Sequence, residues 1–396
     1  MSVIRSVEVI EFAYELENVD TQYNEFTKLH APCYRKGARK AFSKYIVVIE
    51  TDDGLRGEYA PHFGANRMTL AQVLEVAPML PGRNPEHRQR LYMDLKLRLR
   101  HYDQTGIAPL DIALWDLAGK KYGVSVSTLI GGFREELPVY ASTCAGQPSG
   151  GGLDSLEAYA DFARHCRSLG VPGFKIHGWR DGDPRREAAL LHAVRDALGD
   201  VVHLMTDPAS TLPSFMDALY VGRACDEVGC LWYEDPYQDG SASAYSHKRL
   251  REMIRTPLLL SEHVRGREQK ADFLLAGGTD ILHIDPELDG GITNTLHLAS
   301  FAASLGVSVS LHTAGPAHRQ LMAAIPNCGM YELGLVGPGD MPNTFQPPIY
   351  ACGYDDTLAE VNERGAVPVP AGPGLGVCYD WEKLSSLQTA RHVFRK

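Results

Sequence analysis

The sequence predicts an α/β protein: a (β/α)8 TIM-type barrel over residues 131–365, an N-terminal α+β capping domain over residues 1–130, and a C-terminal segment, 366–396, packing back on the cap. Three observations predict it. The chain has 396 residues, more than one compact core usually serves, so a large barrel with a smaller companion is expected. From about residue 137 the texture changes to short apolar runs, each followed by an amphipathic helical pattern. There are eight such runs, and eight parallel βα units close a barrel.

Within the cap, residues 4–14 and 43–51 alternate like half-buried strands. Residues 106–122 place Leu110, Ala113, Leu114, Leu117 and Ala118 on a helical period. Barrel strands are expected at 139–142, 174–177, 203–206, 231–234, 258–262, 281–285, 307–312 and 330–333. An open doubly wound sheet would instead want a GxGxxG turn after the first strand. The glycine-rich stretch 141–152 lacks that spacing and reads as a flexible loop. The stretch 368–377 is too rich in Pro and Gly for a barrel helix, so it is expected to run back along the first domain.

Composition excludes several function classes. Apolar residues at 44% and charged residues at 22% are ordinary for a soluble globular chain, and no apolar run approaches the roughly 18 residues of a membrane span. The N-terminus alternates like a strand and lacks the layout of a signal peptide, so a cytoplasmic location is expected. Eight scattered cysteines without a CxxC pair argue for reduced, mostly buried thiols rather than disulfides or zinc. A net charge of −10 disfavours a nucleic-acid partner, so an anionic substrate must be attracted locally.

Four consecutive strands end in a carboxylate: Asp207, Glu234, Glu262 and Asp285. An unpaired charge at the end of a buried strand costs several kcal/mol unless something neutralises it. In a barrel all four lie on the C-terminal rim, where active sites form. Asp207, Glu234 and Glu262 are hard oxygen ligands with no cysteine nearby, which favours Mg2+ over zinc; the competing reading is that they cap helices or pair with Arg and Lys. Lys175 and His177, two residues apart, share one face of their strand. His312 ends the next strand after Asp285, and a carboxylate can orient an imidazole and stabilise its charged form. Glu332 ends the last strand, either as a hydrogen-bonding group at a substrate carboxylate or facing a neighbouring helix.

Several motifs together resemble the enolase superfamily and, within it, the mandelate racemase-like subgroup (the mandelate racemase/muconate lactonizing enzyme family), in particular its acid-sugar dehydratases. They are Pro109-Leu-Asp-Ile-Ala-Leu-Trp-Asp-Leu-Ala-Gly-Lys-Lys-Tyr-Gly123, Trp232-Tyr-Glu-Asp-Pro236, Asp285 five residues before Gly290-Gly-Ile-Thr293, and Gly374-Leu-Gly-Val377. The resemblance covers essentially the whole chain. It implies a modified enolase barrel, with Asp207, Glu234 and Glu262 as Mg2+ ligands, His312 with Asp285 as an acid/base dyad, and Glu332 as a hydrogen-bonding electrophile. Lys175-Ile-His177 stands where Lys-x-Lys is usual, which puts His177 in the place of the second, proton-abstracting lysine. Pro208-Ala209 follows Asp207 where Asn or His is common, so no base comes from that spot.

The implied chemistry is Mg2+-dependent abstraction of the proton α to a carboxylate through an ene-diolate. If His177 and His312 face the α-carbon from opposite sides, two bases permit racemisation and a base with an acid permits dehydration. In the family, two cap loops reach the substrate; the matching stretches are 17–43 and 58–66, with His30, Tyr34, Arg35 and His62 as candidate substrate contacts. The first stretch is dense in basic and hydroxyl groups, which suits a polyhydroxylated acid. Dehydration of an aldonate or aldarate to a 2-keto-3-deoxy acid is therefore the leading expectation. Its rivals are a racemase or epimerase of 2-hydroxy acids, a cycloisomerase of a sugar lactone or anhydro-sugar acid, and a catalytically silent metal-binding barrel. The expected partner is a small carboxylate, and homo-oligomers are expected by the resemblance alone.

Overall fold

The computed structural model describes residues 2–25, 28, 30–146, 152–339 and 341–396; of the glycine-rich stretch 141–152 expected as a loop, 141–143 belong to a strand and 147–151 lie outside the described residues. Two sheets organise the chain. The first has the order β13-β1-β2-β3 and consists of β1 (Ile4–Tyr23), β2 (His30–Thr51), β3 (Arg56–Tyr59) and, from the far end of the chain, β13 (Gln388–Arg395). β1 and β2 form a long antiparallel hairpin whose pairs run from Ile4↔Thr51 to Tyr23↔His30. Stretch 17–43, expected as a loop, is therefore mostly strand. Its base is buried by Val7, Val9, Phe12, Val47 and Ile49, and its polar tip projects beyond that core.

The second sheet is parallel: β4 (Glu136–Thr143), β5 (Gly173–Ile176), β6 (His203–Thr206), β7 (Trp232–Glu234), β8 (Leu258–Leu260), β9 (Ile281–Ile284), β10 (Val309–Leu311) and β11 (Tyr331–Val336). Its order is β10-β9-β8-β7-β6-β5-β4-β11, so the eighth strand pairs with the first. Among the described residues, the one pair of barrel neighbours without a ladder is β10 and β11. A helix follows each strand except the last, and β12 (Ala366–Pro368) adds antiparallel to β4. Strands of three to eight mostly apolar residues, buried on both faces, are what a parallel barrel requires. No described helix is long and apolar enough to cross a membrane.

Buried polar side chains bind the cap, barrel and tail together. On the helix Ile107–Tyr122, Asp111 accepts the backbone N–H and hydroxyl of Thr293 at 2.9 and 2.6 Å, and Trp115 donates to that hydroxyl at 2.9 Å. One turn on, Asp116 takes the N–H groups of Glu58 and Leu375, both at 2.8 Å. These contacts explain two of the glycines quoted above. A Cβ on Gly291 (φ +100°) would lie 2.3 Å from the Asp111 carboxylate, and one on Gly374 (φ +74°) 2.1 Å from that of Asp116. Glu287, just past β9, holds the second cap stretch by accepting from the Tyr59 hydroxyl, His62 N–H at 2.7 Å and Gly64 N–H at 2.6 Å.

Candidate active site

The C-terminal ends of the barrel strands open into a cavity of about 590 Å3, lined among others by His30, Phe63, His177, Arg180, Asp207, Asp235, Glu262, His263, His312 and Glu332. Where the strands stop, the chain turns sharply. Ala209, Ser210, Asp235, Ser261 and Thr313 all have positive φ, between 34° and 95°. Such conformations cost of order 1–3 kcal/mol each in non-glycine residues and collect where a site over-determines them.

On the β5 side, Lys175 is buried, its ammonium 3.0 Å from Glu234 and 2.7 Å from Glu332. His177 Nδ1 is 2.8 Å from the Thr143 carbonyl oxygen and Nε2 is 2.8 Å from Asp207 Oδ2. The carbonyl can only accept, so Nδ1 donates to it, and Nε2 is the nitrogen turned toward Asp207 at the cavity. Burial lowers the pKa of His177, with Asp207 opposing. Burial would raise that of Asp207, but His177 and then Lys175 outweigh it and hold the carboxyl well below the usual range.

On the β10 side, His312 Nδ1 is 2.8 Å from Asp285 Oδ2 and Nε2 is 3.3 Å from Glu262 Oε1. Burial opposes its charged form, yet Glu262 and Asp285 prevail and raise its pKa to about 9. Glu332 accepts the Thr313 N–H at 2.6 Å; burial is outweighed by Lys175 and His312, which keep it ionised.

Asp207 and Glu262 line the cavity and Glu234 lies beside Glu262; of the three, only Glu234 is short of positive charge. Burial lifts the Glu234 pKa well above the carboxylate range, with Lys175 opposing. Ligand atoms of Glu234, Glu262 and His283 lie within 4.8 Å of one another, and neither ring nitrogen of the fully buried His283 has a hydrogen-bond partner. Asp235, 1% exposed, likewise has both oxygens without a donor, although His263 Nε2 is 3.0 Å away. Carboxylate oxygens dominate and no cysteine approaches, so the donor set fits a hard divalent cation.

The cap expectations need correction. Of the four residues expected at the substrate, only His30, at the hairpin tip, lines the cavity. Arg35 is exposed on β2 and paired with Asp20 at 2.6 Å. Tyr34 packs beside Gly152 and Gly339, outside the cavity wall. His62 is fully buried at the cap–barrel junction, its Nε2 2.6 Å from the Tyr350 hydroxyl, and its neighbour Phe63 faces the cavity, 4.6 Å from the His312 ring. A one-residue offset along an extended chain reverses which side chain faces the site. Sequence reading also missed His283, although its spacing two before Asp285 on one strand puts both on the same face; His318, 3.4 Å from Asp285 Oδ1, carried no periodic signal.

Comparison with known proteins agrees with this architecture. Residues 158–383 match the sequence profile of the enolase C-terminal domain-like family, and residues 25–131 that of the mandelate racemase / muconate lactonizing enzyme N-terminal domain. D-galactarolactone cycloisomerase of Agrobacterium fabrum is 29% identical over 87% of this chain and 90% of its own length. L-talarate/galactarate dehydratase of Salmonella typhimurium is 27% identical over 73% of each. The crystal structure of D-glucarate dehydratase from Agrobacterium tumefaciens, complexed with magnesium, superposes with a TM-score of 0.81 at 27% identity, covering 98% of this chain and 99% of that one. The chain belongs to the mandelate racemase/muconate lactonizing enzyme family of the enolase superfamily.

Proposed function

We propose that this enzyme is a Mg2+-dependent acid-sugar dehydratase, converting an aldonate or aldarate to a 2-keto-3-deoxy acid. The observation that carries it is that two histidines reach the cavity from different strands with unlike partners, His177 with its Nδ1 on the Thr143 carbonyl and His312 with its Nδ1 on the Asp285 carboxylate. A ring held by a neutral carbonyl serves as a base and a ring paired with a carboxylate as an acid, which is the requirement of dehydration; racemisation wants two exchangeable bases. Dehydratases of galactarate, galactonate and glucarate among the relatives support the same reading.

Asp207, Glu234 and Glu262 would hold the cation. When bound, Mg2+ supplies divalent positive charge that stabilises the ene-diolate oxygens as they become negative. The rest falls to the chain's own residues. His177, with its Nδ1–H on the Thr143 carbonyl, presents Nε2 and removes the proton α to the carboxylate. Lys175 adds positive charge from behind Glu234 and Glu332. His312, charged and oriented by Asp285, gives its proton to the β-hydroxyl, which leaves as water; the resulting enol tautomerises to the keto acid. Phe63 and the hairpin tip at His30 cover the cavity and exclude water. In this reading the barrel, 131–365, performs the chemistry and the cap, 1–130 with 366–396, encloses it.

Incubation with Mg2+ and a library of acid sugars, assayed for 2-keto acid, tests the proposal. A keto product from at least one acid is expected. Deuterium incorporation from D2O at the α-carbon without any keto product would mean that enolisation ends in epimerisation instead.

A further inference from the structure

Lysine and arginine are scarce on the cavity wall: Arg180 is the only one of either among the described lining residues. The basic groups around it are engaged, His177 with Asp207, His312 with Asp285, His263 beside Asp235 and Lys175 with Glu234 and Glu332. Arg180 makes no side-chain hydrogen bond or ion pair among the described residues, and its Nε is buried without an acceptor. Asp207 and Glu187 feel its charge, but neither accepts a hydrogen bond from it. Arg180 as a whole is half-buried, but a buried donor nitrogen with nothing to donate to is unfavourable unless a ligand supplies the acceptor.

Its backbone is fixed in an equally uncommon way. Arg180 has φ +54°, a left-handed conformation that a long side chain rarely adopts, and its carbonyl accepts a hydrogen bond from Asn24 Nδ2 of the cap hairpin at 2.8 Å. The residue also lies where the main cavity meets a side cavity of about 220 Å3 under the hairpin tip. Arg180 is thus held at the junction of cap and barrel.

We propose that Arg180 anchors a second carboxylate of the substrate, which makes the site one for dicarboxylic acid sugars rather than monocarboxylic ones. The proposal rests on the acid-sugar reading above and narrows it. Asp207, Asp235, Glu262 and Glu332 give the cavity an acidic wall whose histidines His177, His263 and His312 are each already paired with a carboxylate, so Arg180 is the lining cation left to meet a second substrate carboxylate. Arginine's planar fork matches a carboxylate with two parallel hydrogen bonds, and Nε is one of the donors such a pair uses.

The test is calorimetric binding of a hexarate and the hexonate of the same configuration, galactarate and galactonate, to Mg2+-loaded protein in a His312→Asn background, with and without Arg180→Met. The parent is expected to bind the hexarate more tightly, and Arg180→Met to weaken hexarate binding about 30- to 100-fold more than hexonate binding, the range of charge-assisted hydrogen bonds. Arg180→Lys, which keeps the charge but loses the fork, should recover part of that difference. Equal weakening of both acids, or no preference in the parent, would overturn the proposal. Binding is read without turnover, so a diacid preference in this background, combined with no keto acid from the protein with His312 intact, would keep Arg180 in place and discard dehydration.

Discussion

The seam between cap and barrel and the rim of the barrel are both lined with buried charge, yet they treat it in opposite ways. At the seam every carboxylate has its donors. Asp356 pairs with Arg319 at 2.6 Å and accepts the hydroxyls of Tyr331 and Tyr354 at 2.8 and 2.6 Å. Asp116 and Glu287 are as fully engaged. At the rim, Asp235, Glu187 and His283 are buried with polar atoms that have no hydrogen-bond partner among the described residues, and Glu234 accepts there from Lys175 and the Trp232 indole N–H. Satisfied buried charge locks one arrangement in place; unsatisfied buried charge is kept only where something outside the chain completes it.

Removing charge from the two regions should therefore have opposite consequences. Glu234→Gln is expected to lower turnover at least about 1,000-fold by removing a ligand of the cation, with little change in melting temperature without Mg2+, because burial already disfavours the charged form. Full activity in this variant would show that the carboxylate at 234 is structural. At the seam, Arg319→Met leaves Asp356 buried without its cation and should cost about 3–5 kcal/mol in chemical denaturation. The protein that remains folded should keep its turnover, since Arg319 contacts no residue of the cavity wall. Between these lie the two histidines. Asn at 177 or at 312 should each reduce turnover about 100- to 10,000-fold, and only the His312 variant should still exchange the α-proton in D2O. Loss of exchange in both would mean that the roles are not divided between them.

The sequence made the rim more legible than the cap, for a physical reason. A parallel strand buried on both faces is a short apolar run whose polar end stands out, so β6, expected at 203–206, was found there, and the carboxylates and histidines fell where the turns are. The cap hairpin offers no such contrast. Beyond Tyr14 its strands project past the core, their alternation is between polar residues, and 17–43 read as a loop when β1 and β2 pair through most of it. Which cap side chain reaches the substrate depends on register and on the turn at 61–64, and neither leaves a periodic trace. For this reason Phe63 was missed and His62 misplaced. Arg180 was missed for a different reason: its role depends on what it fails to contact, and no pattern of residue types records an absent partner.

The last comparison turns on Glu187, which asks whether unsatisfied charge at the rim weakens the fold. It sits in the first turn of the helix Pro184–Leu198, its carboxyl turned inward against Gly178 with neither oxygen hydrogen-bonded. Burial, and then Asp181, push its pKa up to about 8. The folded chain therefore holds a proton there that the unfolded chain releases near the ordinary carboxylate value of about 4.3. Between those two values the unfolded state binds fewer protons, so stability falls as pH rises, by at most about 1.4 kcal/mol per pH unit from this group. Glu187→Gln keeps the shape without the charge. It should remove that slope, leaving stability near pH 5 unchanged and raising it at pH 8, as read from urea midpoints at the two values. A variant that loses stability equally at both would mean that the Glu187 carboxylate has a cationic partner, and that this part of the rim is built like the seam.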